Sequence, residues 1–187
     1  RQIVTYLKDY FFQKNLIKNK NLKALITTGP TKEYIDPVRY ISNDSSGKQG
    51  FEIALALNRL GVKTKLISGP TKLIPPKEIK IKNIVTAKEM FAEVKKSLPV
   101  DIAVCTAAVS DFKPIKISKN KIKKNTFQRF LEFEKNPDIL DYLGKTNKMR
   151  PKIVVGFSAE TENVIANSKI KIKEKYCDLI VANDVSN

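Results

Sequence analysis

Two neighbouring stretches decide the fold: LKALITTGP at residues 22–30 and GKQGFEIALALNRLGVKTKLISGP at residues 47–70. The apolar run Leu22 to Ile26 and the alternating run Val62 to Ser68 each predict a strand, and a glycine–proline pair follows both. Between them, apolar residues recur near helical spacing from about Gly47 to Leu60. A strand, a helix and a second strand in this order predict parallel strands joined by a right-handed crossover.

The same alternation continues along the chain. Thr86 followed by Glu89 is typical of a capping box and predicts a helix to about Leu98. Further strands are predicted at Ile79 to Val85, Asp101 to Cys105, Ile153 to Phe157 and Asp178 to Ala182. The fold class is therefore α/β, a Rossmann-like three-layer sandwich with a mostly parallel sheet.

Two regions depart from the alternation. Residues 1–20 hold scattered aromatic and leucine side chains among lysines and predict an amphipathic linker helix, so the domain proper is expected at 21–187. Residues 113–135 are lysine-rich, with alternation at Phe127, Arg129, Leu131 and Phe133. This pattern predicts a basic loop followed by a short antiparallel extension, either an edge strand or a hairpin.

Composition excludes several classes of protein. The 187 residues contain 35 basic and 19 acidic side chains, a net charge of +16, and no histidine. Without histidine there is no Ser-His-Asp triad, no Cys-His nucleophile and no His-ligated zinc. The charge attracts anions such as nucleic acid or phosphates, but 30 of the 35 basic residues are lysines spread over the whole length. A solvated lysine-rich surface is the simpler interpretation.

Location is also indicated by the sequence. No apolar run approaches the roughly 20 residues of a membrane helix, so no membrane association is expected. Cys105 and Cys177 each lie in an apolar strand-like run, which predicts buried free thiols in a reducing cytoplasm. The first residue is Arg1 and no signal peptide is visible, so we expect a fragment of a longer protein.

The residues after each strand are the candidate ligand contacts, because parallel strands end at one edge of the sheet. Ser45, Ser46 and Gly47 fall at the start of a helix, where free amides and the helix dipole favour an anion. A serine cap with a packing glycine is the alternative. Neither the dinucleotide fingerprint nor the P-loop spacing is present.

Two further segments suggest polar chemistry. Asp111 follows the fourth strand and is suited to hydrogen-bonding hydroxyls or helping to hold Mg²⁺, although it is equally a turn or cap residue. The segment 121–124 (KIKK) could close over a polyphosphate. A solvated lysine run is the alternative there.

Segments later in the chain supply further candidate ligand contacts. The stretch NPDIL at 136–140 predicts a helix start with its proline in the first turn. Phe157 ends a strand, where it stacks on a base or belongs to the core. The residues from Glu160 onward are typical of the next helix start. Lys171 and Lys175 are four apart and share one helical face.

In order, these segments resemble one family, phosphopantothenate–cysteine ligase, over about residues 22–186. In bacteria this is commonly the C-terminal half of a bifunctional coenzyme A biosynthesis protein whose N-terminal half is a flavin-dependent decarboxylase. The resemblance is carried by GPT (29–31), DPVRYISNDSSGKQG (36–50), SGPT (68–71), TAKEM (86–90), AAVSDF (107–112), KIKK (121–124), NPDIL (136–140), VGFSAET (155–161) and LIVANDVS (179–186).

The resemblance implies a CTP-dependent ligation. The carboxylate of 4′-phosphopantothenate attacks the α-phosphate of CTP, which yields an acyl-cytidylate and pyrophosphate. The amine of L-cysteine then displaces CMP and forms 4′-phosphopantothenoylcysteine. Mg²⁺ accompanies CTP, whereas FMN belongs only to the upstream decarboxylase domain. A cytoplasmic homodimer fused to or associated with that decarboxylase is implied, with no nucleic-acid partner.

Residue roles follow from the matched motifs. Asn43 matches the asparagine that contacts the acyl-cytidylate, and Lys121 matches the lysine of substrate binding, nucleotide binding and catalysis. Ala107 offers backbone to the cytosine. The remaining nucleotide-binding positions implied are Gly29, Ser45, Ser46, Gly47, Asp111, Pro137, Asp138, Ile139, Leu140, Phe157, Lys171 and Lys175.

This sequence also departs from the family pattern. Ser110 stands where alanine is common and Gln49 where methionine is common. The chain stops at Asn187, before a segment with which the family usually continues, so a C-terminal truncation is expected. The choice between CTP and ATP and the metal ligands stay open. A non-catalytic regulatory relative and a basic nucleic-acid-binding domain are the alternative functions.

Overall fold

The structure is a computed structural model that describes residues 21–123, 130–146 and 148–186. The predicted linker helix at 1–20, the alternating residues Phe127 and Arg129, and Lys124 of the KIKK segment lie outside the described residues.

Strands and helices alternate as predicted. The strands are β1 (Lys23–Thr28), β2 (Lys32–Tyr34), β3 (Tyr40–Ser42), β4 (Lys63–Ser68), β5 (Lys80–Asn83), β6 (Ile102–Cys105), β7 (Phe112–Pro114), β8 (Phe133–Lys135), β9 (Ile153–Glu160) and β10 (Leu179–Asp184). The helices are α1 (Lys48–Arg59), α2 (Ala87–Ser97), α3 (Ile139–Lys145) and α4 (Val164–Lys175).

Six parallel strands form the central sheet in the order β5-β4-β1-β6-β9-β10. β1 lies at its centre, where Leu25 is opposite Lys65 of β4 on one side and Ala103 of β6 on the other. The chain runs outward from β1 to β5 and then returns to β6, so strand order reverses between β1 and β6. A reversal of this kind opens a crevice beyond the strand ends.

The core lies on both faces of this sheet because strand side chains alternate. In β9, Val155 packs with the layer that contains α1, whereas Val154 packs with the layer of α2 and α3. Phe51 and Leu57 of α1 cover the first face, and Met90 of α2 is fully buried on the second. The three-layer α/β prediction is thereby confirmed.

The helix starts confirm one local sequence signal and correct two others. Thr86 and Glu89 form the predicted capping box at the start of α2. Two predictions were wrong by a few residues. Asp138 is the N-cap of α3, so Pro137 lies before the helix and not in its first turn. Glu160 belongs to β9, because β10 pairs with the strand as far as that residue.

Two small antiparallel pairs are added to the sheet, β2 with β3 and β7 with β8. The second pair confirms the predicted antiparallel extension. The first was not predicted. It is tied to the rest of the domain by the buried Glu33, whose Oε1 accepts the Ala87 amide of α2 at 2.9 Å. β2 also contacts β7, so the two pairs are neighbours.

Candidate active site

A cleft of about 620 Å³ opens beyond the carboxyl ends of β6 and β9, between the start of α3 and one face of α4. We call it the strand-end cleft. Its volume is in the range of small-molecule sites. It brings together nine of the predicted nucleotide-binding residues: Ala107, Asp111, Pro137, Asp138, Ile139, Leu140, Phe157, Lys171 and Lys175.

The two lysines of the strand-end cleft are held in different ways. Lys171 Nζ donates to the Phe157 carbonyl at 3.3 Å. Lys175 Nζ lies 2.9 Å from Asp138 Oδ2 and 3.7 Å from Asp141 Oδ1. The Asp138 hydrogen bond raises the pKa of Lys175. Both lysines are half-buried, so they present positive charge inside the cleft.

Asp138 carries the matching negative charge. Burial opposes its ionisation, but hydrogen bonds from the Asp141 amide and from Lys175 bring its pKa below the ordinary value. The carboxylate therefore performs two tasks. It caps α3 through the Asp141 amide at 2.8 Å, and it orients Lys175 across the cleft.

Sequence reasoning missed Asn136 as a cleft residue. Its Nδ2 donates to the Ser110 carbonyl at 2.9 Å, and its amide donates to the Asp111 carbonyl at 2.8 Å. These bonds attach β8 to the loop after β6. Asn136 Oδ1 and Ser110 Oγ are buried and have no hydrogen-bond partner in the described ranges. The signal was available, because an asparagine directly before a proline at a helix start often bonds backbone nearby.

A second cleft of about 690 Å³, the helix-start cleft, lies before α1. Asn43, Ser45 and Ser46 line it, together with Lys32 and Lys72. The two serine hydroxyls accept the amides of Gly47 and Lys48, each at 3.3 Å. The serines therefore satisfy these two amides, and each hydroxyl keeps its own hydrogen as a donor.

Gly29 and Gly47 are buried beside the helix-start cleft, which is lined by their chain neighbours Pro30 and Ser46 but by neither glycine. Both have positive φ, at 72° and 76°. A Cβ on Gly47 would lie 2.8 Å from Thr71 Cγ2 and 3.3 Å from the Gly29 Cα. Neither position therefore has room for a side chain, and the absence of one lets the two loops pack closely against each other and against Thr71.

Asn43 connects the two clefts. Its Nδ2 donates to the carbonyl of Val109 at 3.1 Å, and Val109 lines the strand-end cleft. The underlying loops run side by side, because the Ala108 amide donates to the Gly29 carbonyl at 3.0 Å. The exposed Asn43 side chain keeps a second Nδ2 hydrogen that is available as a donor.

Lys121 lies in neither cleft. It lines a third pocket of about 580 Å³ with Ile35, Arg39 and Ile122. The structure thus divides the predicted residues into three groups. Two of these groups join through Asn43, whereas Lys121 is exposed on the segment after β7.

The cysteines do not supply a nucleophile. Both are free, as predicted for the thiols, and Cys177 is buried. Cys105 is half-exposed and lines the strand-end cleft, but burial of its sulfur raises the pKa of the thiol to about 12. At neutral pH such a thiol is protonated and unreactive.

Within residues 21–123, 130–146 and 148–186, no three His, Cys, Asp or Glu side chains are grouped to hold a metal ion. Asp111, in the loop between β6 and β7, is an exposed carboxylate of the strand-end cleft. One carboxylate together with substrate phosphates is a common way to bind Mg²⁺, so the cleft fits a metal that arrives with a triphosphate. None of the helices described is long and apolar enough to cross a bilayer.

Comparison with known proteins shows the family to which this chain is related. Residues 19–187 match the model of the DNA/pantothenate metabolism flavoprotein C-terminal domain. The chain is 43% identical over 186 residues to the coenzyme A biosynthesis bifunctional protein CoaBC of Haemophilus influenzae, covering 99% of this chain and 46% of that protein. It is 43% identical over 187 residues to CoaBC of Borreliella burgdorferi, covering 98% and 47%. The chain therefore spans about half the length of these relatives.

Solved structures show the same fold. The crystal structure of a CoaBC C-terminal domain matches with a TM-score of 0.76 and 38% identity, over 89% of this chain and 80% of that one. A Cab2 mutant in complex with phosphopantothenate-cysteine matches with a TM-score of 0.74 and 16% identity, over 99% of this chain and 79% of that one. At that identity the second match supports the fold alone.

Proposed function

Because the chain belongs to the family of DNA/pantothenate metabolism flavoprotein C-terminal domains, we propose that it is the phosphopantothenate–cysteine ligase domain of coenzyme A biosynthesis, with CTP as the activating nucleotide. One observation carries the proposal. Nine predicted nucleotide-binding residues line a single cleft, and the predicted catalytic asparagine donates to a carbonyl at the edge of that cleft. The names of the relatives, which are coenzyme A biosynthesis bifunctional proteins, add support.

In the proposed reaction, the carboxylate of 4′-phosphopantothenate attacks the α-phosphate of CTP and pyrophosphate leaves. The amine of L-cysteine then attacks the acyl carbonyl, CMP leaves, and the amine loses a proton as the amide forms. Both steps need reactants held in line and negative charge stabilised.

Each group of residues has a task in this scheme. Lys171 and Lys175 attract the triphosphate into the strand-end cleft, where Phe157 and the small Ala107 leave space for a flat base. Asn43 donates to the acyl-cytidylate at the junction of the clefts. The helix-start cleft presents two serine hydroxyls and two lysines to 4′-phosphopantothenate. Lys121 supplies a further cation to the reacting groups.

Magnesium is proposed as part of the nucleotide substrate, and Asp111 is the side chain we assign to it. When bound, Mg²⁺ would neutralise phosphate charge. The chain's own contribution is to hold the triphosphate through its lysines and to place the carboxylate of Asp111 near it.

We further propose a homodimer fused to a flavin-dependent decarboxylase. The fusion is supported by the relatives, which are bifunctional and about twice as long. The dimer is supported by exposed apolar side chains around the two antiparallel pairs, including Tyr40, Phe112, Ile117 and Phe133. Light scattering of the full-length protein gives its mass and tests the dimer directly.

The activity is tested by product analysis. The full-length protein is incubated with Mg²⁺, CTP, 4′-phosphopantothenate and L-cysteine, and CMP and pyrophosphate are quantified. We expect CMP release to require both 4′-phosphopantothenate and L-cysteine. When cysteine is omitted, only pyrophosphate should form. Replacing CTP with ATP tests the nucleotide preference. Absence of CMP from a folded full-length protein would overturn the proposal and favour a regulatory relative with the same fold.

A further inference from the structure

Asp36 is a fully buried carboxylate that the proposed chemistry does not use. It lies in the turn that joins β2 to β3, within the segment DPVR. A buried charge is costly unless it is paired and hydrogen-bonded, so the contacts of this side chain indicate what it is for.

Five hydrogen bonds reach its two oxygens. Asp36 Oδ1 accepts the amides of Val38 at 2.9 Å and Arg39 at 2.8 Å, which closes the turn. Asp36 Oδ2 accepts Arg39 Nε at 3.0 Å and Arg39 Nη2. It also accepts the amide of Ile122 at 3.2 Å, from a segment 86 residues further along the chain.

Arg39 completes the attachment of that distant segment. Its Nη2 donates to the Ile122 carbonyl at 2.9 Å, so both backbone polar groups of Ile122 are held by the Asp36–Arg39 pair. A second tie lies four residues earlier, where the Ser118 amide donates to the Ile35 carbonyl at 2.9 Å. The peptide between Lys121 and Ile122 is therefore fixed relative to the turn.

We propose that Asp36, acting with Arg39, is a positioning residue that fixes the backbone from which Lys121 extends. The inference rests on the proposed function, because Lys121 owes its catalytic role to that proposal. Asp36 does not touch the reacting groups. It determines where the ammonium of Lys121 can reach, and it couples the segment after β7 to the β2–β3 pair.

The charge state of Asp36 suits a permanent anchor. The guanidinium of Arg39 holds the pKa of this carboxyl well below its usual range, and the amides of Val38, Ile122 and Arg39 act in the same direction. The carboxylate is therefore ionised throughout the neutral range, and its five donors remain matched.

The test uses Asp36→Asn in the full-length protein. Asparagine keeps the shape but turns one acceptor oxygen into a donor. In either orientation that donor faces other donors, so the network that holds Ile122 is weakened. The matched control is Asp101→Asn at the opposite edge of the sheet. Asp101 likewise accepts hydrogen bonds from a backbone amide and from a cationic side chain. The Lys23 amide lies 3.0 Å from its Oδ2 and Lys152 Nζ lies 2.8 Å from its Oδ1.

Two readouts separate positioning from general stability. Hydrogen exchange of the peptide containing Ile122 should accelerate about tenfold or more in Asp36→Asn and stay unchanged in Asp101→Asn. In steady-state assays, kcat should fall about 10- to 100-fold with KM for CTP within about threefold. Arg39→Lys, which keeps a cation beside Asp36 but has no guanidinium fork, should give an intermediate kcat and serves if Asp36→Asn does not fold.

Each result of these experiments either supports or overturns the proposal. Unchanged exchange at Ile122 would overturn the anchor, and faster exchange with unchanged kcat would overturn its role in catalysis. If the wild-type protein releases no CMP, the proposed function fails, while the exchange comparison still tests the anchor.

Discussion

The strand-end cleft and the Lys121 segment hold their functional side chains by different means. In the cleft, the residues extend from strand ends and helix starts that a six-stranded sheet fixes, and the ion pair of Lys175 with Asp138 is a local addition. The Lys121 segment has no strand or helix of its own at that point. Its position depends on Ile122 and on the buried Asp36.

The difference teaches where tolerance to mutation lies. Cleft residues keep their places when one neighbour changes, because the parallel ladder carries the geometry. The Lys121 segment is held by the Asp36–Arg39 pair and one backbone bond, so we expect it to lose its geometry when the buried Asp36 changes. Substitutions in the cleft should therefore mainly alter ligand affinity, whereas substitutions around Lys121 should mainly alter turnover.

The sharpest test of this contrast is Lys121→Gln. We expect kcat/KM to fall about 10²- to 10³-fold, because a positioned cation is removed from developing charge. CMP release from the full-length protein measures it. Lys119→Gln is the matched control on the same exposed segment and should stay within twofold of wild type. Activity of Lys121→Gln within threefold of wild type would remove the lysine from the mechanism.

The next effect concerns the junction of the clefts. Asn43→Ala should lower kcat about 10²-fold and leave the affinity for CTP nearly unchanged, because the amide acts on the acyl group and not on the nucleotide. Calorimetry with CTP and the CMP assay together measure the split. Asn43→Asp, which keeps the size but lacks the donor, should behave like the alanine variant. Full activity of the aspartate variant would contradict the donor role.

A smaller effect is expected inside the strand-end cleft. Lys175→Met should weaken CTP binding about tenfold with little change in kcat, because one charge-assisted contact to phosphate is lost. Lys145→Met is the control. Lys145 also pairs with Asp141, at 2.6 Å, but does not line the cleft. If Lys175→Met lowered kcat more than it lowered the affinity for CTP, the two regions would not differ in the way we propose.

The cleft could be predicted from the sequence because its signals are local. Continuous apolar runs located β6 and β9, and the parallel arrangement then required that the residues after them, Asp111 and Phe157 among them, lie at one edge. The spacing of Lys171 and Lys175 placed both on one face of α4, and in the structure that face lines the cleft. The grouping of these residues as nucleotide contacts was implied by the family resemblance.

The attachment of Lys121 could not be predicted in the same way. The Asp36–Ile122 bond joins residues far apart in sequence, and neither periodicity nor composition encodes it. The β2–β3 pair is too short to show alternation, so it was missed as well. One local signal was present: an aspartate three residues before an arginine across a proline turn is suited to an ion pair, and Arg39 was assigned no role.

The smallest effect compares the acid sensitivity of the two regions. Both Asp36 and Asp138 have a lowered pKa in the folded protein, so each stabilises the fold fully above the ordinary aspartate pKa of about 4 and loses this contribution as pH falls further. Asp36 is fully buried, whereas the Asp138 side chain is 48% exposed and screened by water. Urea unfolding is measured between pH 6 and pH 3, on both sides of that ordinary pKa. The free energy of unfolding should therefore fall less steeply with acid in Asp36→Asn than in Asp138→Asn. Equal slopes for the two variants would mean that the Lys121 anchor is no more dependent on a single buried charge than the cleft is.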